Sequence, residues 1–250
     1  MIMPMWADKA QRAITWLAKR LQDSWLWPWN LWRDGAVRWR RLQVTAAAAV
    51  RWRRAAAPMP PLTTLHRLGV QLFDLVGGPE IAQALLRWFA HTTPLTSMEV
   101  AAAATLFGWD GLRYQDVRVS TGGILSLIFH LNGERAFATW HTIHLPRSGR
   151  HTRANLPLLM HELTHVYQYE KIGTLYMTEA ILAQWRDGPA CYDYGGVAGL
   201  VAAYEARQGP RYFNREAQAR IVQDYFVRCR HNADTTAYEP FIHALRRGEL

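Results

Sequence analysis

The tightest constraint on this chain is the run His161-Glu162-Leu163-Thr164-His165. On an α-helix, residues i and i+4 project from one face, so two imidazoles reach a common point with the carboxylate between them beside it. The flanks agree with a helix. Asn155 and Pro157 suit its start and Gly173 its end, which predicts a helix from about Leu156 to Ile172. Leu156, Leu159, Met160, Leu163, Val166 and Tyr167 then form an apolar stripe roughly opposite the histidines. Such a pair of imidazoles binds Zn²⁺, with the intervening Glu facing the metal's water as a general base. His161 and His165 are therefore candidate metal ligands, Glu162 a candidate catalytic residue, and Zn²⁺ the expected cofactor.

A catalytic zinc takes three protein ligands and keeps one position for water. Gln168 and Lys171 stand where the HExxHxxGxxH pattern would place its Gly and its third His, so the third ligand lies farther along. Glu179, on the next helix, and Glu216, opening a helix that runs to about Arg230, are candidates. Asp187, Asp193 and His231 complete the set. His141 and His144 are three apart on a predicted strand, point to opposite faces, and are read as strand residues.

From Thr63 onward the pattern is α+β. Helices are predicted at about 63–76, 79–91 and 97–107, the last opened by a Thr96/Glu99 capping box. Strand-like stretches follow at Val117–Ser120, Ile124–Leu131 and Ala136–Leu145. Gly122-Gly123 and Asn132-Gly133 separate them, and the second pair signals a hairpin.

Composition matters mainly through its asymmetry. Half of the 250 residues are hydrophobic and a fifth charged, as in ordinary globular chains. Residues 1–57 hold eleven Lys/Arg against three Asp, a surplus of eight in a chain of net charge +9. They also hold eight of the twelve tryptophans. The boundary is placed at 57/58, with Pro58, Pro60 and Pro61 as a linker. Within the segment, Ala10, Ala13, Ile14, Leu17 and Leu21 recur at helical spacing. Ala-Val-Arg-Trp-Arg-Arg occurs at 36–41 and again at 49–54.

Interleaved Trp and Arg suit packing on the body, an anionic membrane surface, or a secretion-apparatus partner; nucleic acid suits them less well. No apolar run approaches the length of a spanning helix. The start lacks the pattern of a secretory signal, so the chain is expected to be cytoplasmic at synthesis. Cys191 and Cys229 are expected as free, buried thiols.

Several runs carry a resemblance: Thr96–Gly108 with Val117-Arg118-Val119, His141 to Pro146, Leu158 to Gln168, Tyr192-Asp193-Tyr194, and Asn214–Phe226. Together they resemble a bacterial zincin family, the Vgr-related proteins, which lies near the HExxH toxin-associated peptidase-like domains of polymorphic and type VI secretion systems. The resemblance covers roughly residues 95–232 and leaves out the Trp-rich start. Its most specific piece is HELTHVYQY followed by Glu-x-Gln-Ala-x-Ile-Val-x-Asp-Tyr-Phe from Glu216, with Ala217 where the family usually has Gln. It implies Glu216 as the third zinc ligand. It also implies a zincin-like, gluzincin-type metallopeptidase domain over 58–250, with a small antiparallel sheet and an active-site helix.

The expected activity is hydrolysis of peptide bonds by a zinc-activated water, with a peptide or protein as substrate and export by a contractile secretion system as an effector or toxin. Tyr194 is the chosen oxyanion donor, with Tyr192 and His231 as alternatives. Asp224 is a candidate to orient a ligand histidine, and Ala136–Leu145 the edge strand for an extended substrate. The same groups would serve a zinc amidase acting on a non-protein amide such as a peptidoglycan crosslink. A catalytically silent zinc module acting through its basic arm is the reading of a different class. Glu162 speaks against it, since a structural site needs no carboxylate between its ligands.

Overall fold

The computed structural model describes residues 14–15, 28–48, 61–121, 129, 135–147, 149 and 151–250. The chain divides into two compact units, Met1–Phe89 and Ala90–Leu250.

In the first unit, residues 28–48 are helical (α1), followed by α2 (Pro61–Leu75) and α3 (Gly78–Trp88). Pro61, expected in the linker, opens α2, where its missing N–H costs nothing. The division after Phe89 differs from the 57/58 boundary read from sequence, and a buried ion pair explains why. Arg38 of α1 grips Glu80 of α3 with both terminal nitrogens and also donates to the Asp74 carbonyl. Helices α2 and α3 are thereby tied to the Arg-rich segment. The helix expected near 10–21 and the second copy of the hexapeptide, at 49–54, lie outside the described residues except for Ile14 and Thr15.

The second unit is α+β. Its elements are β1 (Thr92–Pro94), α4 (Ser97–Phe107), β2 (Arg118–Thr121), β3 (Phe137–Thr139), β4 (Thr142–Leu145), α5 (Leu156–Ile172), α6 (Leu175–Asp187), α7 (Gly196–Glu205), α8 (Arg215–Arg230) and α9 (Glu239–Arg246). The expected capping box is formed: Thr96 Oγ1 accepts from Glu99 N, and the Glu99 carboxylate accepts from Thr96 N. Arg153 binds the same carboxylate as well as Thr93 Oγ1 and the Pro94 carbonyl, fastening the approach to α5 onto β1 and α4.

The sheet order is β1-β2-β4-β3. It is mixed, which corrects the expected antiparallel sheet. β1 pairs with β2 and β3 with β4 antiparallel, but β2 and β4 run parallel, with Val119 opposite Ile143. The cause is a turn at Trp140-His141, which splits the stretch expected as one strand over 136–145. It folds β4 back between β2 and β3, so β3 becomes the edge.

No Gly, Asn or Pro marks that turn. Trp140 takes a left-handed backbone, φ 52°, and its surroundings hold it there. Its N–H donates to Tyr176 Oη at 3.0 Å and its indole N–H to Thr174 Oγ1 at 2.9 Å. The Asn132-Gly133 hairpin and the strand over 124–131 lie outside the described residues, except Phe129, which is helical and buried.

Helix α5 is the axis of this unit. Asn155 Oδ1 caps it by accepting from Leu158 N at 3.2 Å, and Gly173 ends it at φ 73°. Every residue from Leu159 to Tyr169 is buried. Leu159, Leu163 and Val166 join Val119, Ile143 and Leu145 of the sheet, Phe107 of α4, and Ile221 and Val222 of α8 in one apolar core. The stripe read from sequence is thus the core face, while α6 and α8 enclose the histidine side. Both cysteines are unpaired, Cys191 buried and Cys229 exposed.

Candidate metal centre

His161 and His165 lie one turn apart on α5 with ring centroids 5.0 Å apart and planes at 82°. Glu216 reaches them from the first turn of α8, whose cap Asn214 accepts from Ala217 N at 2.9 Å. Glu216 Oε2 stands 3.2 Å from His161 Nε2 and 3.3 Å from His165 Nε2. One ligand atom from each of the three lies within 4.8 Å of the others, and all three residues are buried.

This donor set fits zinc. Two imidazole nitrogens and one carboxylate oxygen are its usual partners, and with bonds of about 2.0–2.1 Å the edge of a tetrahedron is about 3.3 Å. Two polar atoms of the motif are orphaned, one of them on the far side of its ring from the Nε2 that faces Glu216. Glu162 Oε2 and His161 Nδ1 are buried without a hydrogen-bond partner.

The surroundings orient two of the three side chains, Glu216 and His165. Gln184 Nε2 donates to Glu216 Oε1 at 2.8 Å, which leaves Oε2 for the histidines, and to Tyr192 Oη at 3.3 Å. Gln168 Oε1 faces His165 Nδ1 at 2.8 Å. The Gln168 amide nitrogen is committed to the Arg215 carbonyl at 3.1 Å and Gln218 Oε1 at 2.9 Å. Gln218 in turn spends its own nitrogen on the Pro210 and Phe213 carbonyls. With every amide direction fixed, His165 Nδ1 must donate, and Nε2 is the atom it turns toward Glu216.

Electrostatics follow the same pattern. Burial alone would lower the His165 imidazole, but the adjacent Glu216 carboxylate outweighs it and holds His165 up at about 9. Burial would raise Glu216, yet the two imidazoles hold it far below the usual carboxylate range. Burial pushes the Glu162 carboxyl up, with the neighbouring imidazoles opposing.

His161, His165 and Glu216 open onto a cleft of about 300 Å³. One wall is the edge strand, Phe137 to Thr139, with Ala136 before it. The other is α6, through Tyr176, Met177, Ala180 and Ile181. Glu162, Gln184 and Tyr192 line its floor.

The other sequence candidates lie elsewhere. Tyr194, expected as the oxyanion donor, is not at the cleft. Its hydroxyl is used by Asp224 and Tyr238, each at 2.8 Å. Tyr192, two residues earlier, lines the cleft with its ring centroid 5.9 Å from that of His161. Glu179 accepts from Arg215 Nε at 2.7 Å. Asp187 pairs with Arg186, and Asp193 caps the Gly195 N–H. His231 Nδ1 bonds the Val227 carbonyl. Asp224 holds Arg220 and Tyr194 rather than a histidine. His141 is bound to Glu170 at 2.9 Å, and His144 to Thr139 Oγ1 at 2.7 Å. Gln184 was not singled out from sequence, and Gln168 was read only as a departure from the longer motif. No local pattern distinguishes a glutamine that orients a ligand from one that faces solvent.

Residues 97–173 match the model of the eCIS core domain, the core domain of extracellular contractile injection systems. The matched stretch carries α4, the strands β2 to β4 and the whole HExxH helix, and ends before the helix that bears Glu216. It links this part of the chain to a secretion-system-related family. No curated protein and no solved structure matches the chain. Among the described residues, no helix is long and apolar enough to cross a membrane.

Proposed function

We propose that Ala90–Leu250 is a zinc metallopeptidase of gluzincin type, with His161, His165 and Glu216 as the ligands and Glu162 as the general base. The observation that carries this reading is the convergence of three buried donor atoms beside a carboxylate oxygen, Glu162 Oε2, that has no other partner. A bound Zn²⁺ supplies Lewis acidity there, acidifying a water and polarising a carbonyl.

The chain's own groups do the rest. Glu162 Oε2 takes the proton of the attacking water and returns it to the departing amine. Tyr192 Oη donates to the oxygen on which negative charge develops, in place of Tyr194. The β3 edge offers an extended substrate a strand to lie along, which suits a peptide. Gln168 and Gln184 hold His165 and Glu216 in their liganding orientations, so the site is set before substrate arrives.

The likeness of residues 97–173 to the eCIS core domain supports a place among contractile secretion systems. We read the chain as an exported effector or toxin akin to the Vgr-related zincins. Metal analysis of the purified full chain is expected to give one zinc per chain. Glu162→Gln is expected to keep that zinc and lower hydrolysis of a peptide library by about 10²–10⁴-fold. Hydrolysis that survives Glu162→Gln refutes the assigned base, and a chain that takes up no zinc refutes the centre.

A further inference from the structure

The first unit is built inside out. Among its described side chains, the buried ones are Arg38, Gln71, Asp74, Glu80, Gln83 and Arg87, together with Pro79, and no large apolar residue joins them. Most of these polar groups meet one another: Arg38 holds Glu80 and the Asp74 carbonyl, and Arg87 Nη2 donates to Gln83 Oε1 at 3.1 Å, while Gln71 Oε1 is buried without a partner.

The apolar stripes face outward. Leu72 of α2 and Val76, just past its end, stand 52% and 60% exposed, and on α3, Ile81 and Leu85 stand 48% and 59% exposed. On α1, Trp32 and Trp39 are 74% and 51% exposed, on the same helix as exposed Arg40. A helix pair made for water buries such stripes against each other. This unit does the reverse, which is the arrangement an apolar surrounding demands, because polar groups then need partners inside the protein.

We propose that Met1–Phe89 is a membrane-surface module whose outer face, centred on Ile81 and Leu85 of α3 and Trp32 and Trp39 of α1, beds into an anionic bilayer. Three features select this occupant. Tryptophan favours the boundary between hydrocarbon and headgroups. The surplus of eight positive charges in residues 1–57 complements anionic headgroups. The fifteen residues of α2 and eleven of α3 span about 22 and 16 Å, short of a hydrocarbon core of about 30 Å, so they lie along the surface rather than across it. Nucleic acid fits less well, since Arg38 is turned inward onto Glu80 while the indoles face out. The proposal is independent of the metal centre.

The test uses the full chain with vesicles of phosphatidylcholine alone or mixed with phosphatidylglycerol. The unaltered chain is expected to float with the anionic vesicles, to bind less at high salt, and to have its tryptophan fluorescence quenched by brominated acyl chains. Ile81→Glu/Leu85→Glu and, separately, Trp32→Ala/Trp39→Ala are each expected to weaken binding at least about tenfold. These side chains are exposed, so both variants should keep the far-UV spectrum and zinc content of the parent. Failure to float with anionic vesicles overturns the proposal, as does flotation unchanged in both variants. Light scattering that shows a dimer dissociated by Ile81→Glu/Leu85→Glu would assign the face to a second copy and likewise overturn it.

Discussion

The chain of amides behind His165 makes a quantitative demand. Replacing Gln168 by Leu removes the acceptor 2.8 Å from His165 Nδ1 and leaves that N–H buried with nothing in its place. A buried donor stripped of its partner costs about 1–3 kcal/mol. If that cost falls on the orientation that presents Nε2, zinc binding weakens roughly five- to 150-fold. The range overlaps the about 10–100-fold typical of losing a group that orients a metal ligand. The assay is competition for Zn²⁺ against a chromophoric chelator, run on the unaltered chain and on Gln168→Leu.

Part of the loss could be general. The same substitution removes the bonds to the Arg215 carbonyl and Gln218 Oε1, which join α5 to α8. A second variant separates the two effects. Gln168→Glu keeps an acceptor for His165 Nδ1, but turns a carboxylate oxygen toward those two acceptors. It should therefore lower the urea midpoint of the metal-free protein while binding zinc more tightly than Gln168→Leu does. Gln168→Leu within about twofold of the unaltered chain, or the two variants equal in zinc affinity, would refute the orienting role.

Tyr192→Phe is expected to lower kcat by about 10²-fold or more with zinc affinity unchanged, whereas Tyr194→Phe should leave kinetics alone and lower stability by about 1–3 kcal/mol in urea unfolding. Glu99 supplies a pH test. Burial would raise its carboxyl, but Arg153 and the Thr96 N–H outweigh burial and hold it below its ordinary value. Its contribution is therefore full above the unfolded-state value of about 4.3 and is lost as pH falls through the lower, folded-state value. The urea midpoint of Glu99→Gln should accordingly fall less steeply than the parent's in that acid range, and equal slopes would sink the assignment. Leu163→Ala, which removes a fully buried side chain in the centre of α5, should cost about 2–5 kcal/mol in the same assay.

How much of this was legible in the sequence depends on whether a feature is local. The HExxH helix was legible from end to end, because its cap, its stop and its i, i+4 ligand spacing all lie within one element. The α4 capping box was legible for the same reason. Glu216 came from resemblance rather than from spacing, since Glu179 carries the same carboxylate on a nearer helix. What removes Glu179 is the Arg215 guanidinium on it, a contact between α6 and α8 that no local pattern encodes. The mixed sheet was missed because its decisive turn has none of the usual turn residues. Tyr176 and Thr174, more than thirty positions away, hold Trp140 in its left-handed conformation.

The first unit shows a deeper limit. The alternation of polar and apolar residues along α2 and α3 establishes two faces on each helix, but periodicity is symmetric about which face turns inward. A sequence reader assigns the apolar face to the core because water is the assumed solvent. Here Arg38 draws Glu80 and the Asp74 carbonyl inward: Gln71 and Asp74 of α2 and Glu80, Gln83 and Arg87 of α3 are buried, while Leu72, Val76, Ile81 and Leu85 stand outside. The polar interior and the outward tryptophans then belong to one design, in which the guanidinium–carboxylate pair removes the charges that an apolar surrounding would penalise most. If so, breaking the pair from inside by Arg38→Leu should disturb vesicle binding as much as changing the outer face does, although Arg38 is itself only 4% exposed. Vesicle binding left intact by Arg38→Leu would mean that the outer face works without the polar interior.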